Sequence, residues 1–163
     1  MKIAELQIAQ HGNVVDIKVS GRANFVHGTP LRDFAVKIVS NGVKEVRFFM
    51  SDCMAMDSTF MGSLSMIALQ AKRGGIKVVL INMPENCRQL LKGLGVDKLF
   101  DYVNDETLNF DAGEIVEGNM QPVNVAESVV EAHETLINVA PENASKFEKV
   151  VEFAKNDLAK LKK

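Results

Sequence analysis

The sequence predicts a mixed α/β fold that is followed by a pair of C-terminal helices. Two short apolar runs, at residues 45–50 and 77–81, flank a helical pattern at 60–73. Strands that are apolar throughout and alternate with helices are typical of a central parallel sheet. The chain before residue 21 instead alternates apolar and polar residues, as an antiparallel hairpin with one solvated face does. We therefore expect a four- to five-stranded mixed sheet with helices packed on it.

The N-terminal part is predicted to form the hairpin and the first helix. Strands at residues 5–8 and 15–20 have the alternating pattern, and residues 21–28 are rich in loop formers. Thr29, which is followed by proline, is the predicted N-cap of an amphipathic helix. That helix is expected to end near residues 41–42, where an Asn-Gly pair supplies a C-terminal stop.

The second half of the sheet is predicted from glycine and proline signals. A pair of glycines at 74–75 ends the second helix, and the strand at 77–81 follows it. Pro84 opens a short helix that Gly95 closes. A weaker last strand is expected at 99–103.

A different pattern begins after residue 104. Residues 105–121 are acidic and have no clear periodicity. Two capping-box patterns, each a polar residue with glutamate three residues later, begin at Asn124 and Ser145, and Pro141 separates them. A helical hairpin is therefore predicted at residues 122–162. Its apolar faces must be buried against each other, against the sheet domain or against another chain.

Charge changes sharply along the chain. Residues 1–100 contain thirteen Lys or Arg against eight Asp or Glu, whereas residues 101–140 contain nine acids and no Lys or Arg. This shift predicts an α/β domain at 1–105 and an acidic linker with a helical extension at 106–163. The acidic side chains either are merely solvated or contact a basic partner or the basic first part of the same chain.

Composition excludes several classes of protein. The chain has 163 residues, of which 47% are hydrophobic, so one domain with an appendage is expected. No apolar run approaches the roughly 20 residues that span a bilayer, and the N-terminus does not resemble a signal peptide. The basic residues are scattered and are not interleaved with aromatic residues, which argues against nucleic-acid binding. We expect a cytoplasmic protein that binds neither membrane nor nucleic acid.

The sequence contains no recognisable catalytic or cofactor motif. Neither GxxxxGK[ST] nor GxGxxG occurs. Cys53 follows a strand and precedes a helix, as a nucleophile would, but the loop after it has no Arg, so a buried thiol is favoured. His11, His27 and His133 lie in separate elements without metal-ligand spacing. We expect no enzyme activity, no metal and no cofactor.

The stretch at residues 52–62 is a strand-to-helix turn. It places Asp57, Ser58 and Thr59 at the N-terminus of a helix, where unpaired backbone N–H groups and the helix dipole favour negative charge. Two interpretations remain open. Either Asp57 or Ser58 caps the helix, or the Ser58 hydroxyl faces solvent and is phosphorylated.

Two observations favour a binding role for this stretch. Five of the eight methionines lie in or beside it, and methionine is common at adaptable binding surfaces; they are Met50, Met54, Met56, Met61 and Met66. Loops at the carboxyl ends of parallel strands also meet at one edge of an open sheet. Residues 51–59 and 82–84 belong to such loops, and residues 22–27 can join them. Packing in the core is the alternative for the methionines, and for Met50 above all.

The pattern Asp52-x4-Asp57-Ser58-Thr59-x-Met61-Gly62, between an apolar strand and an apolar helix, resembles the phosphorylation motif of STAS domains. The pattern is most similar to that of bacterial anti-sigma factor antagonists, and the order of elements agrees over roughly residues 3–103. The resemblance implies a switch that regulates transcription. The unphosphorylated protein would bind an anti-sigma factor that is also a serine kinase, phosphorylation of Ser58 would release it, and a serine phosphatase would reset the switch.

The resemblance also implies which residues act. Ser58 is the phosphoacceptor, with Thr59 as a backup. The residues implied in partner binding lie in two loops and in the helix start: Arg22, Ala23, Asn24, Phe25, Asp52, Met54, Met56, Asp57, Ser58, Thr59, Phe60, Met61 and Ser63. Two features depart from the family pattern: Phe60 stands where many members have a small residue, and the extension after residue 105 is not part of the minimal domain.

Two other functions remain open. The protein can be an unswitched scaffold of the same fold that self-assembles into a homo-oligomer through residues 122–162, with Ser58 only a cap. It can also be a small-ligand-binding domain, which would need a deep pocket with convergent polar groups. The switch interpretation requires that the Ser58 hydroxyl stand free in solvent.

Overall fold

Alternating hydrophobic residues pair the first two strands, as the sequence predicted. The computed structural model describes residues 5–37, 42–116 and 120–163. Strands β1 (Glu5–His11) and β2 (Val14–Ala23) run antiparallel around Gly12, whose φ of 63° suits glycine. Ile17 and Val19 of β2 are fully buried.

The sheet is mixed and has a parallel centre, which confirms the predicted fold class. The remaining strands are β3 (Glu45–Phe49), β4 (Cys53–Met56), β5 (Lys77–Ile81), β6 (Asp101–Val103) and β7 (Glu114–Ile115). The order is β6-β5-β3-β2-β1-β7, and β4 pairs with β2 beside this path. Strands β2, β3, β5 and β6 are parallel, whereas β7 is antiparallel to β1. The short strands β4 and β7 bring the sheet to seven strands, beyond the four to five that were predicted.

Three helices follow the strands of the N-terminal domain: α1 (Phe25–Lys37), α2 (Ser58–Arg73) and α3 (Glu85–Gly93). Their apolar side chains join those of β2, β3 and β5 in one core, in which Phe48, Phe60, Leu64 and Leu80 are fully buried.

Helix α1 begins five residues before the predicted position. The Asn24 side chain accepts a hydrogen bond from the Val26 N–H (2.9 Å), so Asn24 is a cap of this helix. Thr29 lies inside the helix, where its hydroxyl donates to the Phe25 carbonyl (3.3 Å). The prediction of Thr29 as N-cap is therefore wrong. The predicted end of the helix near residues 41–42 falls largely outside the described residues.

Residues that had no predicted structure cover the second face of the sheet. Leu108 and Phe110 pack on Phe49, Val79 and Ile81, and the rings of Phe49 and Phe110 lie 5.7 Å apart. This small cluster explains why β3 and β5 are apolar on both faces.

The C-terminal extension forms the predicted helical hairpin, but its helices begin elsewhere than predicted. Helix α4 (Pro122–Val139) begins with a proline, and α5 (Ala144–Leu161) continues directly from a 3₁₀ turn at Pro141–Asn143. Asn124 and Ser145 both lie inside these helices, so neither is the N-cap that was predicted.

The hairpin packs on its own chain. Helix α4 lies against α1 and α2, and α5 lies against α4, which makes a third layer outside the helices that cover the sheet. Ala132 and Leu136 of α4 are fully buried. The division of the chain into domains at residue 105 stays a prediction. In the described ranges, no helix is long and apolar enough to cross a bilayer.

Neighbouring parallel strands share one buried ion pair. The Asp16 side chain on β2 is 6% exposed, and it accepts two hydrogen bonds from Arg47 on β3, at 2.7 and 2.8 Å. A carboxylate left buried without its partner destabilises the folded state. This pair therefore joins the β1–β2 hairpin to β3, in the parallel part of the sheet.

We predict that Arg47→Met lowers the free energy of unfolding by about 2 kcal/mol, because it removes both hydrogen bonds that the buried Asp16 carboxylate accepts from Arg47. Urea denaturation followed by circular dichroism measures this change. Arg73→Met, at an exposed position at the end of α2, is the control and should change stability by less than about 0.5 kcal/mol. Equal midpoints for the two variants would contradict the prediction.

Candidate functional site

One carboxylate organises the start of α2. The pairing of β4 with β2 sets Met56 opposite Ala23, so the chain enters α2 next to the start of α1. Asp57 accepts hydrogen bonds from the Phe60 N–H (2.8 Å) and from the Phe25 N–H (3.1 Å). Asp57 is thus the N-cap of α2 and also binds the first turn of α1. Of the two predicted caps, the structure selects Asp57.

Ser58, the first residue of α2, hydrogen-bonds to a histidine of the C-terminal hairpin. Its Oγ lies 2.8 Å from His133 Nε2, and His133 Nδ1 lies 2.7 Å from the Val129 carbonyl. A carbonyl can only accept, so Nδ1 carries a proton and donates it. In the neutral imidazole, Nε2 therefore accepts from the Ser58 hydroxyl. The expectation that this hydroxyl stands free in solvent is wrong, because α4 lies over the N-terminus of α2.

The His133 ring is 2% exposed and packs edge-on against Phe147 of α5, with centroids 5.0 Å apart. Burial lowers the pKa of His133 below its usual value, because the charged imidazolium would lose its hydration. The hydrogen bond to the Val129 carbonyl and the charge of Asp57 oppose this effect but do not cancel it. Neutral His133 is thus the form that fits the site.

A serine bonded to a histidine is also the arrangement of a hydrolase nucleophile, but this pair lacks the other parts of such a site. The second imidazole nitrogen donates to a backbone carbonyl and not to a carboxylate. Ser58 is half-buried, and the His133 side chain that it contacts is buried. Within the described ranges, no group of three or more His, Cys, Asp or Glu could hold a metal.

Helices α2 and α4 cross at Gly62. A Cβ at this position would lie 2.7 Å from the Ala132 Cβ and closer still to the Ala132 carbonyl. Real Cβ atoms do not approach other atoms so closely, so only glycine allows the two backbones to meet. His133 follows Ala132 in sequence, and the crossing therefore sets the distance between His133 and Ser58.

Ion pairs hold α4 to α1. The Arg32 guanidinium donates to both carboxylate oxygens of Glu131, at 2.5 and 3.0 Å, and to Glu127 at 2.9 Å. The hydrogen bond to Glu131 is the main cause of the raised pKa of Arg32. Glu127 and Glu131 belong to the acidic segment, so part of that segment contacts the basic first part of its own chain, one of the alternatives that the sequence left open.

The turn of the hairpin is fastened to the end of α3. The Asn143 side-chain amide donates to the Leu94 carbonyl (2.8 Å) and to the Leu136 carbonyl (2.9 Å). Lys146 Nζ donates to the Gly93 carbonyl at 3.2 Å. Contacts at both ends and in the middle of α4 therefore hold the hairpin in place.

Comparison with known proteins assigns the fold to a family. The family model described as "Mlab, STAS domain" matches residues 6–102. This match covers more than half of the 163 residues. The chain belongs to the STAS domain family. None of the curated proteins matches the sequence significantly.

Solved structures of anti-sigma factor antagonists share the STAS fold. The unphosphorylated form of SpoIIAA is 15% identical, with a TM-score of 0.52, and the match covers 61% of this chain and 87% of that one. A Thermotoga maritima protein described as an anti-sigma factor antagonist is 14% identical, with a TM-score of 0.55 and coverage of 63% and 88%. The Bacillus cell fate determinant SpoIIAA in its phosphorylated form is 14% identical, with a TM-score of 0.52 and coverage of 63% and 94%. The hairpin α4–α5 lies outside the matched STAS domain.

The STAS fold brings some of the predicted partner-binding residues to the surface and buries others. Arg22, Phe25, Asp52 and Met54 are exposed and form what we call the Ser58 surface, together with the half-buried residues Asn24, Asp57 and Ser58. Six predicted contact residues are buried: Ala23, Met56, Thr59, Phe60, Met61 and Ser63. Their prediction as surface contacts is wrong for this conformation, because they lie on the inward sides of β2, β4 and α2.

The burial of these residues changes two interpretations of the sequence. Thr59 is 6% exposed, so it is not an accessible backup phosphoacceptor in this state. Met50, Met56 and Met61 lie in the core of the STAS domain, and only Met54 is largely exposed, at 61%. The cluster of methionines thus fills the core more than it builds a binding surface.

Cys53 is a buried thiol, as the sequence favoured. Its side chain is 2% exposed, and the interaction with Cys87 and burial both raise the pKa of the Cys53 thiol. A thiol that stays protonated is a poor nucleophile. The two cysteines are free.

Sequence reasoning missed three residues of the site. Arg32, Gly62 and His133 each take part in a contact between α4 and the STAS domain. In a sequence, however, each of these residue types commonly has another role. In the sequence, Gly62 is the last residue of the motif. A glycine inside a helical pattern often marks a close packing contact, and this signal could have indicated the crossing. His133 gave no signal, because its partner lies 75 residues away.

We predict that docking of the hairpin weakens as the pH falls through about 6.5, the ordinary pKa of histidine. The folded-state pKa of His133 is lowered, so the unfolded state binds more protons there and stability is lost as the pH decreases. Thermal unfolding at pH 7.5 and pH 5.5 measures the difference. His133→Gln should reduce it; the same pH dependence in the wild type and in His133→Gln would contradict the assignment.

Proposed function

We propose that this protein is a phosphorylation-regulated binding module of the STAS family. In this proposal it binds an anti-sigma factor that is also a serine kinase through the Ser58 surface, and phosphorylation of Ser58 releases that partner. The observation that carries the proposal is the position of Ser58 as the first residue of α2, next to the Asp57 cap that binds the exposed first turn of α1. Because the Ser58 hydroxyl is bonded to His133 in this conformation, the proposal requires that α4 move away before a kinase acts on Ser58.

The chemistry of this position suits a phosphoserine. The first turn of a helix presents backbone N–H groups and the positive end of the helix dipole, both of which favour a phosphate. Asp57 caps the helix through its own side chain, so modification of Ser58 does not remove the cap. The phosphate would add a charge of roughly −1.5 to −2 beside Asp57. A partner that fits the unmodified surface would meet both repulsion and added bulk.

The Ser58 surface also has the composition of a contact site. Phe25 and Met54 are 42% and 61% exposed, and Arg22 and Asp52 are charged neighbours. Exposed apolar side chains among charges are typical of protein interfaces. The structures of SpoIIAA in its unphosphorylated and phosphorylated forms support a phosphoacceptor on a STAS fold. In this role the protein is a cytoplasmic regulator of transcription without enzyme activity, and a serine phosphatase resets it.

We predict that Ser58→Glu weakens binding to the serine-kinase anti-sigma factor of the native organism by roughly tenfold or more, a loss of about 1.4 kcal/mol. Ser58→Ala should bind at least as tightly as the wild type, because it adds no charge and removes the hydrogen bond to His133 that helps to hold α4 in place. Isothermal titration calorimetry with the purified kinase measures both affinities. Ser145→Glu adds the same charge on the exposed side of α5 and is the matched control.

Phosphosite mapping after incubation with that kinase and ATP completes the test. Phosphate confined to residues other than Ser58, or equal affinities for the Ser58→Glu and wild-type proteins, would refute the proposal.

The outer face of the hairpin supports a second candidate function, self-assembly. A groove of about 850 Å³ runs between α4 and α5. Its lining is mainly apolar and includes Phe25, Val125, Val129, Val150 and Phe153. Phe153 is 72% exposed. A second copy of the chain that inserts the same side chain would bury both, which makes an isologous dimer the expected assembly.

We predict that Phe153→Glu abolishes any dimer, because it places a charge in the centre of the groove. Size-exclusion chromatography with light scattering gives the mass of the full-length protein at micromolar concentration. Val36→Glu is the matched control, since Val36 is 71% exposed on α1 and does not line the groove. A wild-type protein that remains monomeric would exclude this function without affecting the Ser58 proposal.

A small-ligand function has less support. A polar cleft of about 590 Å³ lies at the carboxyl ends of β3 and β5, where Ser51, Asn82 and Asn104 line it. However, the Asn82 amide already donates to the Asp105 carbonyl (2.9 Å) and accepts from the Asp105 N–H (2.8 Å). Its polar atoms are thus used to hold the loop.

A further inference from the structure

We propose that the hairpin α4–α5 is an intramolecular cover of the Ser58 site, such that docking of the hairpin and a negative charge on Ser58 exclude each other. This inference rests on the proposed function for the identity of the kinase and the partner. The coupling between the hairpin and Ser58 rests on contacts within this chain and is measured without either.

The first argument is steric. Ser58 Oγ and His133 Nε2 are 2.8 Å apart, in direct contact as donor and acceptor. Phosphorylation replaces the hydroxyl proton with a group of four heavy atoms, and no such group fits between the two side chains. His133 is 2% exposed and is packed against Phe147. With the Ser58 side chain in this rotamer, a phosphate would overlap the imidazole unless α4 moves, and in any rotamer the hydrogen bond to His133 is lost.

The second argument is electrostatic. Helix α4 contains three acids, Glu127, Glu131 and Glu134, and no Lys or Arg. Among the described cations, Arg32 pairs with Glu127 and Glu131, Lys162 with Glu127 and Lys155 with Glu134. His133 lies in a buried site that lowers its pKa and favours the neutral ring. A phosphate on Ser58 would lie beside the Asp57 carboxylate and a neutral imidazole in the docked state, which disfavours docking.

The third argument is that the hairpin can leave without opening the sheet. The family model ends at residue 102, before the hairpin, and α5 packs on α4. Besides the buried side chains of Ala132 and Leu136, three features hold α4: the Gly62 crossing, the Arg32 ion pairs and the Asn143 hydrogen bonds. Undocking would expose Ala132 and Leu136 on one side and Ser58 on the other, while Phe48 and Leu80 of the sheet stay in the core.

The two events are thermodynamically linked. If docking disfavours a charge on Ser58, then a charge on Ser58 disfavours docking by the same factor. A kinase therefore acts on the small undocked fraction, and its product remains undocked. A partner of the Ser58 surface faces the same competition, since α4 lies over the N-terminus of α2.

Hydrogen–deuterium exchange of the full-length protein tests this coupling. We expect Ser58→Glu and Gly62→Ala each to speed exchange of the amides in α4 by about tenfold or more, through charge in one case and through overpacking at the crossing in the other. Peptides from β3 and β5 should exchange as in the wild type. Ser145→Glu and Gly93→Ala are the matched controls, because Ser145 is exposed and a Cβ at Gly93 would meet nothing within 4 Å.

Two results would overturn the inference. One is wild-type exchange of α4 in Ser58→Glu. The other is faster exchange of β3 and β5 together with α4 in both Ser58→Glu and Arg32→Gln, which would show that the hairpin is not a separate unit. Arg32→Gln removes the α1–α4 ion pairs without touching α2, so it remains informative if Gly62→Ala fails to fold.

A phosphorylation assay separates this inference from the proposed function. The wild-type and Gly62→Ala proteins are incubated in an ATP-supplemented extract of the native organism, and phosphate on Ser58 is quantified by mass spectrometry. Faster phosphorylation of Gly62→Ala supports both ideas. Equal phosphorylation of the two proteins removes the cover and keeps the proposed function. Absence of phosphate from both removes the proposed function, and the exchange experiment then decides the coupling alone.

Discussion

The crossing of α2 and α4 at Gly62 is the contact on which the C-terminal half of the structure depends. Because glycine has no Cβ, the Ala132 carbonyl can approach the α2 backbone, and this approach brings His133 to the Ser58 hydroxyl. Arg32 then holds the middle of α4 through charge, and Asn143 holds its C-terminal end through backbone carbonyls. Helix α4 therefore both packs on the STAS domain and covers the Ser58 hydroxyl.

The N-terminus of α2 is rigid for a separate reason. Pairing of β4 with β2 brings the Asp57 N–H to the Ala23 carbonyl (2.9 Å), and the Asp57 side chain binds the first turns of both α1 and α2. A change at Ser58 is therefore not absorbed by the turn that carries it. The effect of such a change falls on α4, the neighbouring helix, which lies outside the matched STAS domain.

The sequence predicted the strands and the site more closely than it predicted how the site is covered. The strand at 77–81 was located correctly, because an apolar run between glycine and proline signals has few alternatives. The helix starts were predicted less well. Asn24 and Thr29 can both cap α1, and Asn124 can cap α4, but tertiary contacts decide where each helix begins. Ser58 was placed correctly at the start of a helix, but its contact with His133 joins two elements that no local pattern connects. The burial of Ala23 and Met56 follows from the pairing of β4 with β2, which was not anticipated, and the other four buried residues lie on the packed sides of α2.

The short connection between the sheet and the hairpin has a kinetic consequence. Only six residues, 116–121, separate β7 from α4. A released hairpin therefore cannot diffuse away, and a tether of this length holds it at an effective concentration on the order of millimolar. Any ligand that binds the surface exposed by undocking must compete with the hairpin at this effective concentration. A weakly bound ligand would be displaced as the hairpin docks again. The short connection therefore sets a threshold, since only a ligand that binds tightly or a lasting modification keeps the hairpin undocked.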